Sequence, residues 1–351
     1  NPDVEFETSI KSHNQIKKVR AVYYNNKFHE NPKKGRNEAR ITNWGGQSSP
    51  LLDPENTGSI ALFLFSLHNQ ENRCPCEVWV CKNPSEEDII ENELGIIEPG
   101  STVVWSASSG IRRTFTKMTK EAPCFLTPLQ IPDEWHEVFP KTKTVLDLTL
   151  DRRPALGRNS DDLLISRREC EFEIFRSIEE AIELKKVQAG FKSLEDFLAL
   201  AQTILQRRKN RSGRSLELHT RQIFLDEGMI ENEHFCHGPN LKGDSLPDFI
   251  FPNVKAYKDR SFPEENLFML AAKTTCKDRW RQVTKEAKRL PQKYLLTLQE
   301  GVSITQFKEM KEAGVQLVVP QSLHSKFHTD IIPDLVSLSD FINKVKIASS
   351  A

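Results

Sequence analysis

The sequence predicts a protein of the α/β (α+β) class with two domains, on three observations. Short runs of β-branched and aromatic residues recur in the first third of the chain, the spacing of apolar residues becomes helical after Arg167, and strand-like and helix-like segments then alternate. A chain of 351 residues is long enough for two domains of about 150 residues. Twenty Phe and five Trp supply the large apolar side chains of packed cores.

The first domain, residues 1–145, is predicted to be a barrel or sandwich of short strands. Turn-forming residues separate the strand-like runs, as at 32–35 and 45–50. The predicted strands lie at residues 19–24, 59–67, 77–81 and 102–106. A stretch rich in Pro, Asp, Arg and Asn follows, and residues 146–165 are predicted to be a linker.

The second domain, residues 166–351, is predicted to be a mixed sheet flanked by helices. Helical periodicity comes first, and alternating strands and helices follow. The predicted helices lie at 172–182, 194–205, 215–227, 277–290, 305–313 and 338–345, and the predicted strands at 248–251, 267–274, 294–299 and 315–319.

Composition excludes several classes of protein. The longest dense apolar run, residues 60–67, is far shorter than the roughly 20 residues that cross a bilayer, so we expect no membrane contact. No signal peptide is recognisable. Seven cysteines in a large chain favour reduced thiols, and hence a cytoplasmic protein, over a disulfide framework. Because Asn1 is not a start methionine, we expect a processed or truncated chain.

Positive charge is concentrated in three stretches although the formal net charge is zero. The 49 basic residues balance 49 acidic ones, but residues 10–44, 207–214 and 273–289 are strongly basic. A single basic run is typical of a solvated face. Three such runs, each beside predicted structure, favour binding to a polyanion.

A Pro-Asp pair followed by a strand and a lysine indicates phosphodiester chemistry. Asp248 opens an apolar run, and Lys273 ends the next predicted strand. A carboxylate at a strand end can hold a hard cation, and a neighbouring lysine can orient or deprotonate an attacking water. Pro-Asp occurs four times in the chain, and by itself the pattern is equally typical of a surface aspartate and an ordinary lysine. The pattern resembles the PD-(D/E)xK nuclease core. The acid that this core usually carries two residues before the lysine is replaced here by Ala271.

Glu286 is the candidate for the missing acid. On the predicted helix 277–290 it lies on the same stripe as Arg279, which would turn it toward the strand that ends in Lys273. The alternative is that Glu286 pairs with a neighbouring basic residue in solvent.

Long stretches of the chain resemble the EcoRII-type family of type II restriction endonucleases. The resemblance spans nearly the whole chain. In the second domain it rests on SLELH (215–219), PDF (247–249), KTTCKDRWRQ (273–282) and LQEGVS (298–303), and in the first on AVYYN (21–25), RNE (36–38), RIT (40–42) and DPENTG (53–58).

The family implies a B3-like β pseudobarrel that binds DNA as an effector domain, with several dozen residues of its start missing here, and a restriction-endonuclease-like catalytic domain that dimerises. In relatives with a migrated acid, the second carboxylate corresponds to Glu286, and a helical glutamate upstream of Pro-Asp corresponds to Glu217. The resemblance then implies Mg²⁺ held by Asp248, Glu217 and Glu286, with Lys273 assisting the water. Tyr257 matches a tyrosine near the family's active site.

Residues 277–279 are the candidate base-reading element. Lys277-Asp278-Arg279 resembles the R-(D/E)-R element with which related enzymes read CC·GG pairs, with a lysine in place of the first arginine. An aspartate can accept from cytosine N4, and an arginine can bind guanine O6 and N7 together. Asp278 can also cap the helix.

A second candidate DNA contact lies in the first domain. Arg36, Glu38, Arg40 and Trp44 mix charge with an aromatic ring, as a DNA-contacting arm would. The alternative is a hairpin edge kept soluble by charge.

These features predict a Mg²⁺-dependent, homodimeric endonuclease that cuts double-stranded DNA at a short CC/GG-containing, CCWGG-like site. Its N-terminal domain is expected to bind a further copy of the site and otherwise to obstruct the catalytic cleft. The alternative from another class is a DNA-binding repressor with a degenerate nuclease fold, and the complete set of Glu217, Asp248, Lys273 and Glu286 favours the enzyme. A repair or junction nuclease is a third hypothesis, against which the base-reading element argues. No nucleotide cofactor is expected, because no phosphate-binding glycine loop occurs.

Overall fold

The computed structural model describes residues 3–24, 38–66, 76–94, 97, 100, 102–105, 112–115, 124–239, 247–276 and 279–350. The chain divides into two compact units, residues 1–90 with 302–305, and residues 91–301 with 306–351. Both contain sheets, and helices are concentrated in the second unit, which confirms the mixed α/β class. Within the described ranges no helix is long and apolar enough to cross a membrane.

The first unit is built on a five-stranded mixed sheet. Its strands are β1 (Asp3–Ile10), β2 (Gln15–Tyr24), β3 (Glu38–Thr42), β4 (Ala61–Phe65) and β5 (Cys76–Val80), in the order β3-β2-β1-β5-β4. β1 pairs with β2 in a tight hairpin and with β5 in parallel. Apolar residues alternate along β5, so that one face of the sheet is buried against a small core containing Ile10, Val78 and Val80.

The predicted strands at 19–24, 59–67 and 77–81 are thus confirmed as parts of β2, β4 and β5. The strand predicted at 102–106 forms β6 (Thr102–Trp105), which pairs with β7 (Arg112–Phe115) in a separate two-stranded sheet of the second unit. Between β5 and β6 in the chain lies α1 (Pro84–Leu94), a helix that the sequence analysis did not predict.

The helices α2 (Thr142–Arg152) and α3 (Ser160–Ala189) occupy most of the interval predicted as linker. Residues 146–165 lie largely in the end of α2 and the start of α3, and Asn159 caps α3 by accepting from Asp162 N. The stretch is ordered as helix because apolar residues that are sparse in sequence meet in space, where Val145 of α2 packs with Ile174 and Ile178 of α3. The domain limits at 145 and 166 stay a prediction.

The segment 124–131 belongs to the same small core, and it corrects the expectation of reduced thiols throughout. Cys124 is joined to Cys170 of α3 by a disulfide. The pair is 46 residues apart in sequence, and only the packing of the segment against α3 brings the two thiols together.

α4 (Leu194–Asp226) is one continuous helix where the sequence predicted two. Two charges of the intervening basic run pair with another helix. Arg207 pairs with Glu183 of α3 at 2.8 Å, and Arg208 pairs with Glu179. Arg214, at the end of the run, pairs with Glu217 of α4 itself and is exposed, and the interpretation of residues 207–214 as part of a polyanion-binding surface stays a prediction.

The second unit contains the predicted mixed sheet flanked by helices. Its strands, in spatial order, are β12 (Val315–Val318), β11 (Lys293–Leu296), β10 (Phe268–Ala272), β9 (Phe249–Phe251) and β8 (Cys236–His237). β10, β11 and β12 are parallel to one another. β9 pairs antiparallel with both of its neighbours, β10 and β8. The main core joins this sheet to α3, α4 and α8 (Leu338–Ser350). α5 (Val254–Lys258) and α7 (Ile304–Glu312) complete the unit.

The predicted helix at 277–290 is wrong in length. Among the described residues 279–290 the α-helix is limited to α6 (Trp280–Val283), and the chain continues in turns with Ala287 at φ 41°. Pro291 has no N–H to bind Ala287 O in a helix. The buried ammonium of Lys293 instead donates to the carbonyls of Ala287 at 2.6 Å and of Leu290 at 2.5 Å.

Candidate active site

Asp248 and Lys273 meet at the ends of two neighbouring strands. Asp248 directly precedes β9 and Lys273 directly follows β10, and these strands pair antiparallel. The Asp248 Oδ2 atom accepts from Lys273 Nζ at 2.9 Å and from Ala272 N at 2.7 Å. The side chains are 16% and 20% exposed, so the pair remains open to a ligand.

Glu286 stands in the field of this pair, although it is not on a helix. It is buried, and its Oε2 atom has no hydrogen-bond partner. Burial raises the pKa of Glu286 to about 7, the negative charge of Asp248 adds to the rise, and the ammonium groups of Lys273 and Lys293 oppose it. The alternative of a solvated surface pair is excluded by the burial of the side chain.

Glu217 lies on α4 and reaches the same end of the sheet through His237. Glu217 Oε2 accepts from Arg214 at 2.9 Å and lies 3.7 Å from His237 Nε2. The His237 ring stacks on Phe249, the residue after Asp248, with a centroid distance of 5.0 Å. Burial opposes ionisation of Glu217, but His237 and Arg214 outweigh it, so that the pKa of Glu217 lies below its ordinary value.

His237 was not among the site residues chosen from the sequence. Its position is fixed by the β8–β9 ladder, in which His237 pairs with Phe249 and the following Gly238 N donates to Asp248 O at 2.9 Å. A histidine eleven residues before Asp248 carries no spacing signal in the sequence, so only strand pairing could reveal it.

Tyr257 is buried on α5, where its hydroxyl accepts from Arg289 N at 3.3 Å. The guanidinium of Arg289 in turn donates to the carbonyls of Ala256, Tyr257, Asp259 and Phe262. Tyr257 and Arg289 therefore bind the α5 loop to the segment that follows Glu286.

The candidate base-reading residues are only partly described. Lys277 and Asp278 lie outside the described residues. Arg279 is exposed at the start of α6, six residues beyond Lys273.

The candidate arm of the first unit shows a mixed picture. Arg36 lies outside the described residues. Glu38 and Arg40 pair at 2.9 Å on β3, which is an edge strand, as the hairpin-edge alternative expects. Trp44 packs edge-on against Phe63 at 5.8 Å and donates to Ile41 O, so most of its ring serves the core.

The carboxylates fit a hard divalent cation. Among the described residues no three Asp, Glu, His or Cys side chains stand close enough to form a metal cluster by themselves. Mg²⁺, however, is commonly bound by one or two carboxylates completed by water and substrate phosphate oxygens. Glu286 offers a buried oxygen without a hydrogen-bond partner, which a cation could fill.

Comparisons with known proteins point to the restriction enzymes. Residues 1–109 match the family described as "Restriction endonuclease EcoRII, N-terminal", and residues 175–342 match the family described as "EcoRII C terminal". The chain is 38% identical over 344 residues to the type II restriction enzyme EcoRII of Escherichia coli, covering 97% of this chain and 82% of that enzyme. It is 25% identical over 205 residues to the type II restriction enzyme SsoII of Shigella sonnei, covering 50% of this chain and 66% of that enzyme.

A solved structure shares the fold over part of this chain. Metal-depleted Ecl18kI in complex with uncleaved DNA superposes with a TM-score of 0.50 at 19% identity, covering 60% of this chain and 80% of that chain.

The mixed sheet and the two family matches place the chain in the class of restriction endonucleases. The similarity along 97% of the chain is more specific. The chain belongs to the EcoRII family of type II restriction endonucleases.

Proposed function

We propose that this protein is a Mg²⁺-dependent type II deoxyribonuclease that cuts both strands of DNA at a short CC/GG-containing, CCWGG-like site. The observation that carries the proposal is the Lys273–Asp248 ion pair at 2.9 Å with the buried, unpartnered carboxylate oxygen of Glu286 in its field. It is supported by membership in a family of type II restriction enzymes.

In the proposed mechanism the acidic residues bind and the lysine orients. Asp248, Glu286 and Glu217 would hold the cation, which when bound polarises the scissile phosphate and stabilises the leaving oxygen. The Lys273 ammonium, which donates to Asp248 in this structure, would have further N–H groups to donate. It would orient the attacking water and offset the negative charge that develops on the phosphate. Tyr257 would support the site indirectly, by holding the α5 loop against the segment after Glu286.

Sequence would be read by residues 277–279. Arg279 is exposed and lies on the same chain segment as Lys273, so a base contact there would be registered close to the chemistry. Asp278 would accept from cytosine N4, and Lys277 would contact a guanine or a nearby phosphate.

The first unit is proposed to be a B3-like DNA-binding effector domain. The five-stranded sheet and the charged edge strand β3 support this assignment, with Arg36, Glu38, Arg40 and Trp44 as the arm. We further propose a cytoplasmic homodimer in which this domain restrains cleavage until it binds a further copy of the site.

A repressor with a degenerate nuclease fold remains the functional alternative, and no described residue of the site favours it. A digest of plasmid DNA with Mg²⁺, followed by sequencing of the ends, separates the two. We expect defined double-strand breaks within CC/GG sites. Binding to such sites without cleavage, at any divalent-ion concentration, would support the repressor.

A further inference from the structure

Buried polar side chains extend the sheet beyond the catalytic lysine. Regular pairing of β10 with β11 ends at Ala272 and Leu296, and Lys273 N makes the last backbone bond, to Leu296 O at 2.9 Å. Beyond this point the two chain segments separate, and the side chains of Thr297 and Gln299 bridge the gap.

The bridge uses both the oxygen and the nitrogen of the Gln299 amide. Its Oε1 atom accepts from Cys276 N at 2.5 Å, and its Nε2 atom donates to Gly301 O at 2.9 Å. Thr297 is fully buried, and its hydroxyl donates to Thr274 O at 3.2 Å and accepts from Gln299 N. Gln299 is itself buried, at 6% exposure, so its amide is not available to DNA.

Both backbone polar groups of Cys276 are hydrogen-bonded. Its N–H is bound by Gln299, and its carbonyl accepts from Trp280 N at 3.2 Å, where α6 begins. The start of α6 carries the exposed Arg279. The position of Arg279 relative to Lys273 therefore depends on where Gln299 holds Cys276.

We propose that Gln299 is a positioning residue that couples base reading at Arg279 to catalysis at Lys273. The inference rests on the proposed function of those two residues. A wrong base pair displaces Arg279, and the short bridged segment transmits this displacement to Lys273 instead of absorbing it. Without the Gln299 bridge, Lys273 could assist cleavage whether or not Arg279 is bound to its base.

Gln299→Met tests the coupling, since methionine fills a similar volume but cannot accept from Cys276 N. The measurement is the single-turnover cleavage rate, with Mg²⁺, on a cognate duplex and on duplexes with one G·C pair changed. We expect the ratio of cognate to altered rates to fall about tenfold. The matched control is Gln316→Met on β12, whose side chain donates to Asp334 O at 2.5 Å; it should keep the ratio within about twofold.

A double variant distinguishes positioning from general loosening. If Gln299 acts through Arg279, Gln299→Met should lower the ratio no further in an Arg279→Ala background. Thr297→Val, which preserves shape, should lower the ratio in the same direction and serves if Gln299→Met does not fold. An unchanged ratio in a folded Gln299 or Thr297 variant overturns the inference, as does a fully additive double variant. If the unsubstituted protein does not cut DNA, the proposed function fails instead.

Discussion

At the scale of single residues, the environment of Glu286 is the feature most directly tied to chemistry. Its neighbours leave a buried carboxylate oxygen without a donor, beside a second carboxylate and an ammonium group. Such a site is costly in the absence of a cation and favourable in its presence. Two substitutions test this interpretation.

Lys273→Ala should abolish cleavage while leaving binding to a CC/GG duplex in Ca²⁺ largely intact. The Lys273 ammonium contacts Asp248 at 2.9 Å. Its loss therefore removes a group from the candidate active site and leaves the base-reading residues 277–279 in place. Cleavage assays in Mg²⁺ and gel-shift titrations in Ca²⁺ measure the two effects. Cleavage at the normal rate would remove Lys273 from the mechanism.

Glu286→Gln should change the pH dependence of stability in EDTA. The pKa of Glu286 is about 7 in the folded protein, against 4.5 for an ordinary glutamate side chain. Between these pH values the folded protein therefore binds more protons than the unfolded one. Stability therefore falls as pH rises from about 4.5 to about 7, by up to about 3 kcal/mol, and is level above that. The glutamine variant lacks this loss.

Urea unfolding at pH 5 and pH 8 measures the effect of Glu286→Gln. The free energy of unfolding of the variant, relative to that of the unsubstituted protein, should be larger at pH 8 than at pH 5. Ca²⁺ at pH 8 should stabilise the unsubstituted protein more than the variant. The same substitution at the exposed Glu265 is the control. Parallel pH profiles for the unsubstituted protein and Glu286→Gln would contradict the assignment.

At the scale of elements, the short helix α6 presents two arginines with different surroundings. Arg279 is exposed at its start, whereas Arg281 pairs with Glu309 at 2.7 Å and lies over the Trp280 ring. Of these two arginines, the proposal assigns base reading to Arg279.

Arg279→Ala should therefore cost about 1–3 kcal/mol of discrimination at one G·C pair, as the loss of one bidentate contact does. Arg281→Ala removes an equal charge two residues further along the chain, and it should change the affinity for all sequences alike. Competition binding with duplexes altered at each position in turn measures the discrimination. A loss of preference in the Arg281 variant alone would place the base contact there.

The junction of α3 and α4 depends on a buried cluster around Glu171. Its carboxylate accepts from His219 Nε2 at 2.8 Å and from the Ser215 hydroxyl, and lies 3.8–3.9 Å from Arg168 and Arg211. Because these charges compensate one another away from water, removing one leaves the others exposed to the full desolvation cost.

Glu171→Ala should destabilise the protein by about 3–5 kcal/mol, measured by urea unfolding. Glu180→Ala, on the exposed side of the same helix, is the matched control and should cost less than about 0.5 kcal/mol. Equal effects for the two variants would mean that the cluster does not bind α3 to α4.

At the scale of the whole molecule, the two units make control by an effector domain testable. A fragment containing only the catalytic sheet should cut DNA with a single site faster than the whole chain, because an inhibiting domain has been removed. We expect this of the second domain from about residue 161 onward, which should also dimerise.

The small core beside α3 sets where that fragment should begin. Starting at Asp161 uncovers Ile174 and Ile178, which pack with Val145, and removes the disulfide partner of Cys170. The fragment 124–351 should therefore be more stable than 161–351, by circular dichroism melting, and both should be compared with the whole chain on single-site DNA. Equal single-site rates for 124–351 and the whole chain would show that the first domain does not inhibit.

The sequence by itself determined the class, the strands of the catalytic sheet and the identity of Asp248, Lys273 and Glu286 as candidates. Strand periodicity and the Pro-Asp motif are local, so they survive without knowledge of neighbours. Glu286 lies in the electrostatic field of Lys273 and Asp248, but in turns instead of the predicted helix, and its part in catalysis stays a prediction.

Only the tertiary structure decided what depends on partners distant in the chain. Arg207 and Arg208 join two helices because Glu183 and Glu179 face them from α3. Residues 284–290 are turns because Lys293, from the next strand, binds their carbonyls. His237 and Gln299 reach the site through strand pairing and a side-chain bridge. None of these contacts has a fixed sequence spacing, because a folded chain satisfies its buried polar groups with whatever donor or acceptor packing brings near.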